Sequence, residues 1–181
     1  MISITKQFLT FKFKFLKMKK SFLIITIVIL LSCIFKSCIR PVDDEPKDPF
    51  SPTILDRTTF ENSIKSLPNQ PIVMSGKIYL KDNLMFISEV NKGFHVYNYT
   101  NPENPIRIGF IQILGATDLA IRDNTIYINQ AVDLVTLEYN PSSNSIVIKH
   151  RNKNVFPQKK SPNGTIASTT ENQIVVDWIQ K

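Results

Sequence analysis

From Gly76 to Ile179 the chain reads as short runs of alternating apolar and polar residues, separated by clusters of Asp, Asn, Gly and Pro. In Gly93-Phe94-His95-Val96-Tyr97 a period of two puts Phe94 and Val96 on one face of a strand and His95 and Tyr97 on the other. Ile106 to Leu114 and Ser145 to His150 have the same character. Lys81-Asp82-Asn83 followed by Leu84-Met85-Phe86-Ile87 recurs 41 residues later as Arg122-Asp123-Asn124 followed by Thr125-Ile126-Tyr127-Ile128. Asp-Asn tolerates the dihedrals of a tight turn and its flanks are β-branched or aromatic, so each copy predicts a hairpin. A second apolar run follows each hairpin (Gly93 to Tyr99, and Asp133 to Tyr139), with Asn101-Pro102 and Asn140-Pro141 after them. Glu171-Asn172-Gln173-Ile174-Val175-Val176 reads as a weaker third copy of the turn and strand.

A repeat of about 40–45 residues is the period of a four-stranded propeller blade. The predicted fold is all-β: a partial, incomplete β-propeller-like repeat of antiparallel sheets with one short N-terminal helix. That helix is read over Thr58 to Ser66, where Thr58 or Thr59 can cap it and Phe60, Ile64 and Leu67 recur at helical spacing before Pro68 stops it. Thr100 to Pro105 reads as an exposed turn, because its two prolines forbid a continuous ladder. A closed propeller takes about four or more blades, and the chain supplies two copies and a fragment. The expectation is a truncated gene, an arc closed by self-association, or a small open stack whose edge strands are exposed to pairing.

The run Gly76 to Gly115, GKIYLKDNLMFISEVNKGFHVYNYTNPENPIRIGFIQILG, resembles the LVIVD-repeat β-propeller proteins found among Bacteroidetes lipoproteins. The shared pattern is Gly-Lys-Ile-Tyr, a hairpin, Lys-Gly-hydrophobic-His-Val, Asn-Pro-x-Asn-Pro and Gly-Phe-Ile. Ala131 to Val135 and Asn154 to Pro157 fit it as well, and the likeness spans roughly Thr53 to Ile179. The resemblance implies a repeat fold and a cell-envelope location. It lends no activity and no catalytic residue.

Ahead of this region, Lys17, Lys19 and Lys20 precede an uncharged apolar run from Ser21 to Leu31, ending in Leu30-Leu31-Ser32-Cys33. A basic start, a short apolar core and a small residue at a cleavage point are the parts of a secretory signal. The run is too short to span a bilayer, which takes about 20 apolar residues. Its end resembles the lipobox of bacterial lipoproteins, with Cys33 as the lipidated, palmitoylated residue. Cys38 is the rival, but Lys36 sits where a signal peptidase wants small or apolar groups. Translation from Met18 explains the odd Met1 to Lys17 segment most simply, with a long basic leader as the alternative. The domain reading is residues 1–32 signal peptide, 33–57 lipidated cysteine with a Pro-rich acidic tether, and 58–181 repeat domain. The acidic tether also resembles surface-export signals of Bacteroidetes lipoproteins, and the expected address is the outer membrane, periplasmic or surface-exposed.

Charge follows from this division. The leader carries six of the 22 basic residues and none of the 15 acidic ones, so the mature chain is near +1 rather than +7. Nucleic acid is therefore not an expected partner. The expected partners are the membrane through the lipid anchor, an envelope protein or glycan, and a second copy through self-association.

No catalytic pattern emerges. His95 and His150 lack the spaced company of a metal site, Ser161 and Ser168 lack a nucleophile elbow, and five glycines in 181 residues leave no phosphate-cradling loop. No catalytic residue, cofactor or metal ligand is assigned. Tyr79, Tyr97, Tyr99 and Trp178 are candidates for an aromatic binding face, with sheet packing as the plainer use. Asp118 and Asp133 flank the second hairpin. They join the candidate surface, and are the only carboxylates that offer an acid/base pair for the alternative reading, an envelope hydrolase acting on polysaccharide or peptide. Hydrogen bonding at strand ends is their plainer use.

Overall fold

The computed structural model describes Phe22, Ile25 and residues 48–181; Cys33, Cys38 and most of the leader and tether lie outside the described residues. The folded unit begins at Asp48. Its elements are β1 (Phe50–Asp56), α1 (Arg57–Glu61), β2 (Lys65–Leu67), β3 (Ser75–Lys81), β4 (Leu84–Glu89), β5 (Gly93–Asn98), β6 (Ile106–Gln112), β7 (Ala116–Arg122), β8 (Thr125–Gln130), β9 (Asp133–Asn140), β10 (Ser145–Asn152) and β11 (Gln173–Gln180). They form three antiparallel sheets, in the orders β2-β6-β5-β4-β3, β10-β9-β8-β7 and β1-β11. The fold is all-β and propeller-like, with no closed ring.

The repeat is real in three dimensions. Lys81 pairs with Leu84 across Asp82-Asn83, and Arg122 with Thr125 across Asp123-Asn124. Asp82 (φ 51°) and Asp123 (φ 54°) both take the left-handed conformation that short polar side chains tolerate best after glycine. Further along, Met85 pairs with Tyr97 as Ile126 pairs with Leu137. Gly93 opens β5 with φ 142°, and a Cβ there would sit 2.0 Å from the Ile111 carbonyl oxygen of the neighbouring strand. The Lys-Gly of the repeat pattern is thus a close backbone approach.

The two larger sheets stack face to back, as successive blades do. One core unites Phe86, Phe94, Val96 and Ile111 of the first sheet with Leu119, Ile126, Ile128, Val135 and Leu137 of the second. Phe86 therefore faces the second sheet, while its repeat counterpart Tyr127 lies on the second sheet's far side, by strand alternation. The converse holds too. Leu119, Ile126 and Leu137 are 5%, 4% and 0% exposed, and their counterparts in the first sheet are Ile78, Met85 and Tyr97 on its outer face. Ile78 and its neighbour Leu80 are exposed there, Met85 and Tyr97 are not, and Arg107 lies 5.7 Å from the Tyr97 ring centroid.

Three expectations need correction. The helix spans Arg57–Glu61 only, and its cap is Asp56, whose Oδ1 accepts from Thr59 N at 2.9 Å. Ser63 Oγ bonds back to the Phe60 carbonyl, and Lys65–Leu67 gain ladder partners on β6, so the chain leaves the helix before Pro68. Residues 50–56, read as tether, form β1, in which Pro52 is tolerated opposite Trp178 because the sheet has only two strands. The supposed third copy, β11, pairs with β1 and not with a third blade. This small sheet caps the turns at one end of the stack: Val176 meets Gly115, and with Ile174, Leu55, Phe60, Ala131 and Val132 it forms a second core. Among the described residues no helix is long and apolar enough to cross a membrane.

The register makes a paired prediction. Leu119→Thr destabilises the protein by about 3 kcal/mol, because it opens a cavity and buries a hydroxyl in the core. The same change at its counterpart, Ile78→Thr, costs about 1 kcal/mol or less. Denaturant midpoints of the two variants against the parent measure the difference.

Candidate functional site

The two candidate carboxylates have separate structural duties. Asp133 opens β9 and its side chain is fully buried. Arg57 Nη1 donates to both its oxygens at 2.9 and 2.7 Å, Arg151 Nη1 donates at 2.7 Å and the Asn154 amide at 3.0 Å. Both guanidiniums lie against the Phe60 ring, 5.6 and 5.5 Å from its centroid. Burial pushes the Asp133 carboxyl up, but the Asn154 amide and the two arginines more than offset it and hold the group below the ordinary value of 3.8.

Asp118 lies on β7, half exposed, and spans the gap to β3. Lys77 Nζ and the Tyr79 hydroxyl donate to it at 2.7 and 2.6 Å, and the Leu119 amide at 2.9 Å. Those hydrogen bonds lower its pKa, while burial and the bond to Asp118 push the Tyr79 phenol up to about 12. Neither aspartate lines either of the two clefts described below. Each aspartate is engaged by its own set of donors, Asp133 by Arg57, Arg151 and the Asn154 amide and Asp118 by Lys77, Tyr79 and the Leu119 amide.

The aromatic candidates do not gather on one face. Tyr97 and Asp133 are buried, so both leave the candidate surface; Tyr99 is half-buried. His95 is buried too, 3.1 Å from Glu89 and packed against Phe110 with the rings tilted at 52° and their centroids 4.8 Å apart. Glu89 accepts from the Val73 and Met74 amides at 3.1 and 2.6 Å, which fastens the segment before β3.

Two clefts remain. One, of about 500 Å³, is the mouth of the wedge between the larger sheets at the Asp-Asn hairpins; Phe86, Ile126 and Tyr139 form its floor and Asn83, Asn98 and Asn124 its rim. The other, of about 460 Å³, lies between the β4–β5 turn and the segment leading into β11. It holds Trp178 together with Asn91, Lys92, Lys159, Lys160 and Asp177. Asn91 takes a left-handed conformation (φ 59°), and its amide bridges Lys159 and Asp177. The indole Nε1 donates to the Lys159 carbonyl at 3.0 Å. Gln158 fastens this segment to β11, donating to the Gln173 carbonyl at 2.7 Å and accepting from Val175 N at 3.0 Å. Burial lowers the Lys159 ammonium's pKa, against the opposing pull of Asp177.

Of this second cleft, sequence reasoning picked out only Trp178. Asn91 lies 68 residues from Lys159 and 86 from Asp177, with no spacing to betray the group. Gln130, fully buried and bonded to Phe60 O, Ser63 Oγ and Leu114 O at 3.2–3.3 Å, was equally silent in the sequence. No family model matches the chain, and no curated protein or solved structure does.

The buried cluster predicts how acid acts on the protein. A carboxyl with a lowered folded pKa stabilises the protein at pH values above its ordinary value, and that stability is lost as pH falls through the folded pKa. Asp133→Asn removes the counter-charge of Arg151 and leaves Arg57 only the more distant Glu61 at 3.8 Å, and costs about 3–5 kcal/mol at neutral pH. It also flattens the loss of stability below about pH 4. Asp118→Asn, at a half-exposed pair, costs about 1 kcal/mol or less. Urea unfolding across a pH series measures both.

Proposed function

We propose that the chain is a membrane-anchored cell-envelope lipoprotein of the LVIVD-repeat kind, whose propeller-like repeats serve as a non-catalytic binding or scaffold module. The observation that carries this over the hydrolase alternative is the commitment of Asp133 to Arg57 and Arg151. A carboxylate fully buried between two guanidiniums neither takes up nor delivers a proton at neutral pH. The second carboxylate, Asp118, is tied to Lys77 and Tyr79. Binding needs no such pair: a repeat surface with clefts lined by amides, ammonium groups and an aromatic ring recognises ligands as it stands. The anchor part of the proposal rests on the Leu-Leu-Ser-Cys33 sequence.

One experiment tests both parts. The full chain is produced in a Gram-negative host fed an alkyne palmitate analogue, purified in detergent, and assayed against a panel of glycans, esters and peptides. The expected result is label that disappears in Cys33→Ala, and no turnover. Turnover that is abolished by Asp118→Asn establishes the hydrolase instead, and label that survives Cys33→Ala moves the anchor elsewhere.

A further inference from the structure

The cleft around Trp178 has a chemical bias. Its two carboxylates are largely engaged: Glu89 holds the Val73 and Met74 amides and His95, and Asp177 Oδ1 holds Asn91 and the Trp178 amide. Three lysines reach the same space, and among the described residues Lys92 and Lys160 have no ionic partner. The uncompensated charge of the cleft is positive. Trp178 presents only carbon to it, because its one polar atom is spent on the Lys159 carbonyl. Asp177 Oδ2 makes no hydrogen bond among the described residues, so it can accept one from a hydroxyl.

A ligand that matches this has three parts: an apolar ring face for the indole, a hydroxyl for Asp177, and an oxyanion for the lysines. We propose that this cleft binds a saccharide ring bearing an oxyanion, with Trp178 as the stacking platform and Lys92, Lys159 and Lys160 around the charge. At about 460 Å³ the cleft is of small-ligand size, for which the range is about 300–1,000 Å³. An oxyanion near Lys159 offsets the burial that lowers its pKa, so ligand and ammonium stabilise one another. This inference rests on the binding-module reading and gives it a site and a ligand class.

Trp178 is the only tryptophan of the chain, so its fluorescence reports on this cleft alone. The full chain in detergent is titrated with four probes: a galacturonate trisaccharide, a hexose phosphate, a neutral glucose trisaccharide and a poly-glutamate peptide. The expected result is a saturable change in emission with the galacturonate or the phosphate. The stronger of those two identifies the oxyanion, and the neutral sugar and the peptide leave emission unchanged over the same concentrations. Lys92→Ala with Lys160→Ala weakens binding about tenfold or more without moving the unfolding midpoint. Silence of Trp178 toward all four probes, equal response to the neutral sugar or the peptide, or unweakened binding in the double variant overturns the proposal. Those failures leave the non-catalytic reading standing, because that reading falls only to turnover.

Discussion

Asp133 stands where the chain's separate parts meet, and its charge is balanced by groups drawn from three of them. Arg57 arrives from the start of α1, directly after β1; Arg151 comes from the outer strand of the second sheet; the Asn154 amide belongs to the segment that leads away toward β11. A charge taken fully out of water is stable only when opposed and hydrogen-bonded. The carboxylate therefore fixes the cap to the blades at one point, and Phe60 seals that point from the side. Its energetic value over an apolar replacement can be small. What it supplies is placement, since its bonds to Arg57, Arg151 and Asn154 tie α1, β10 and the segment toward β11 to the start of β9.

That placement bears on both candidate sites. The same bonds that locate the cap engage both oxygens of Asp133, while Asp118 is held separately by Lys77 and Tyr79. The cap in turn carries Asp177 and Trp178 on β11 and sets them opposite the Asn91 turn of the first sheet. One buried ion cluster thus engages a carboxylate at one place and helps to hold the cleft around Trp178 at another.

How much of this the sequence made legible depends on the range of the interaction concerned. Hairpins at Asp82-Asn83 and Asp123-Asn124 are local, written in turn residues and period-two alternation, and the strands lie where those signals put them. Alternation in Phe94 to Tyr97 separated the two faces, but it did not show that both are sheltered, since burial of Tyr97 and His95 is set by distant segments. The sequence overextends the helix because Phe60, Ile64 and Leu67 satisfy a helical period, while the ladder on β6 that claims Lys65–Leu67 is 43 or more residues away. β1 was hidden by its surroundings: it follows the Pro-rich acidic stretch that ends at Pro49 and carries Pro52 itself, which describes a tether until β11 supplies a partner. The site was least visible of all. Asp133 stands out in the sequence with Asp118 as a carboxylate flanking the second hairpin, but the arginines that engage it are 76 and 18 residues distant.

The account stands or falls on whether the Asp133 cluster holds the cap to the blades. Arg57→Met keeps the packing stem and removes one guanidinium, leaving Asp133 its bonds to Arg151 and Asn154, so a local change is separable from global unfolding. Amide hydrogen exchange of this variant is the direct measurement. The account predicts that protection in β1 and β11, at Leu55, Val175 and Val176, drops by about tenfold or more, while Ile128 and Val135 in the blade core keep theirs. Equal loss in cap and blades, or unchanged protection at Val175 and Val176, contradicts it.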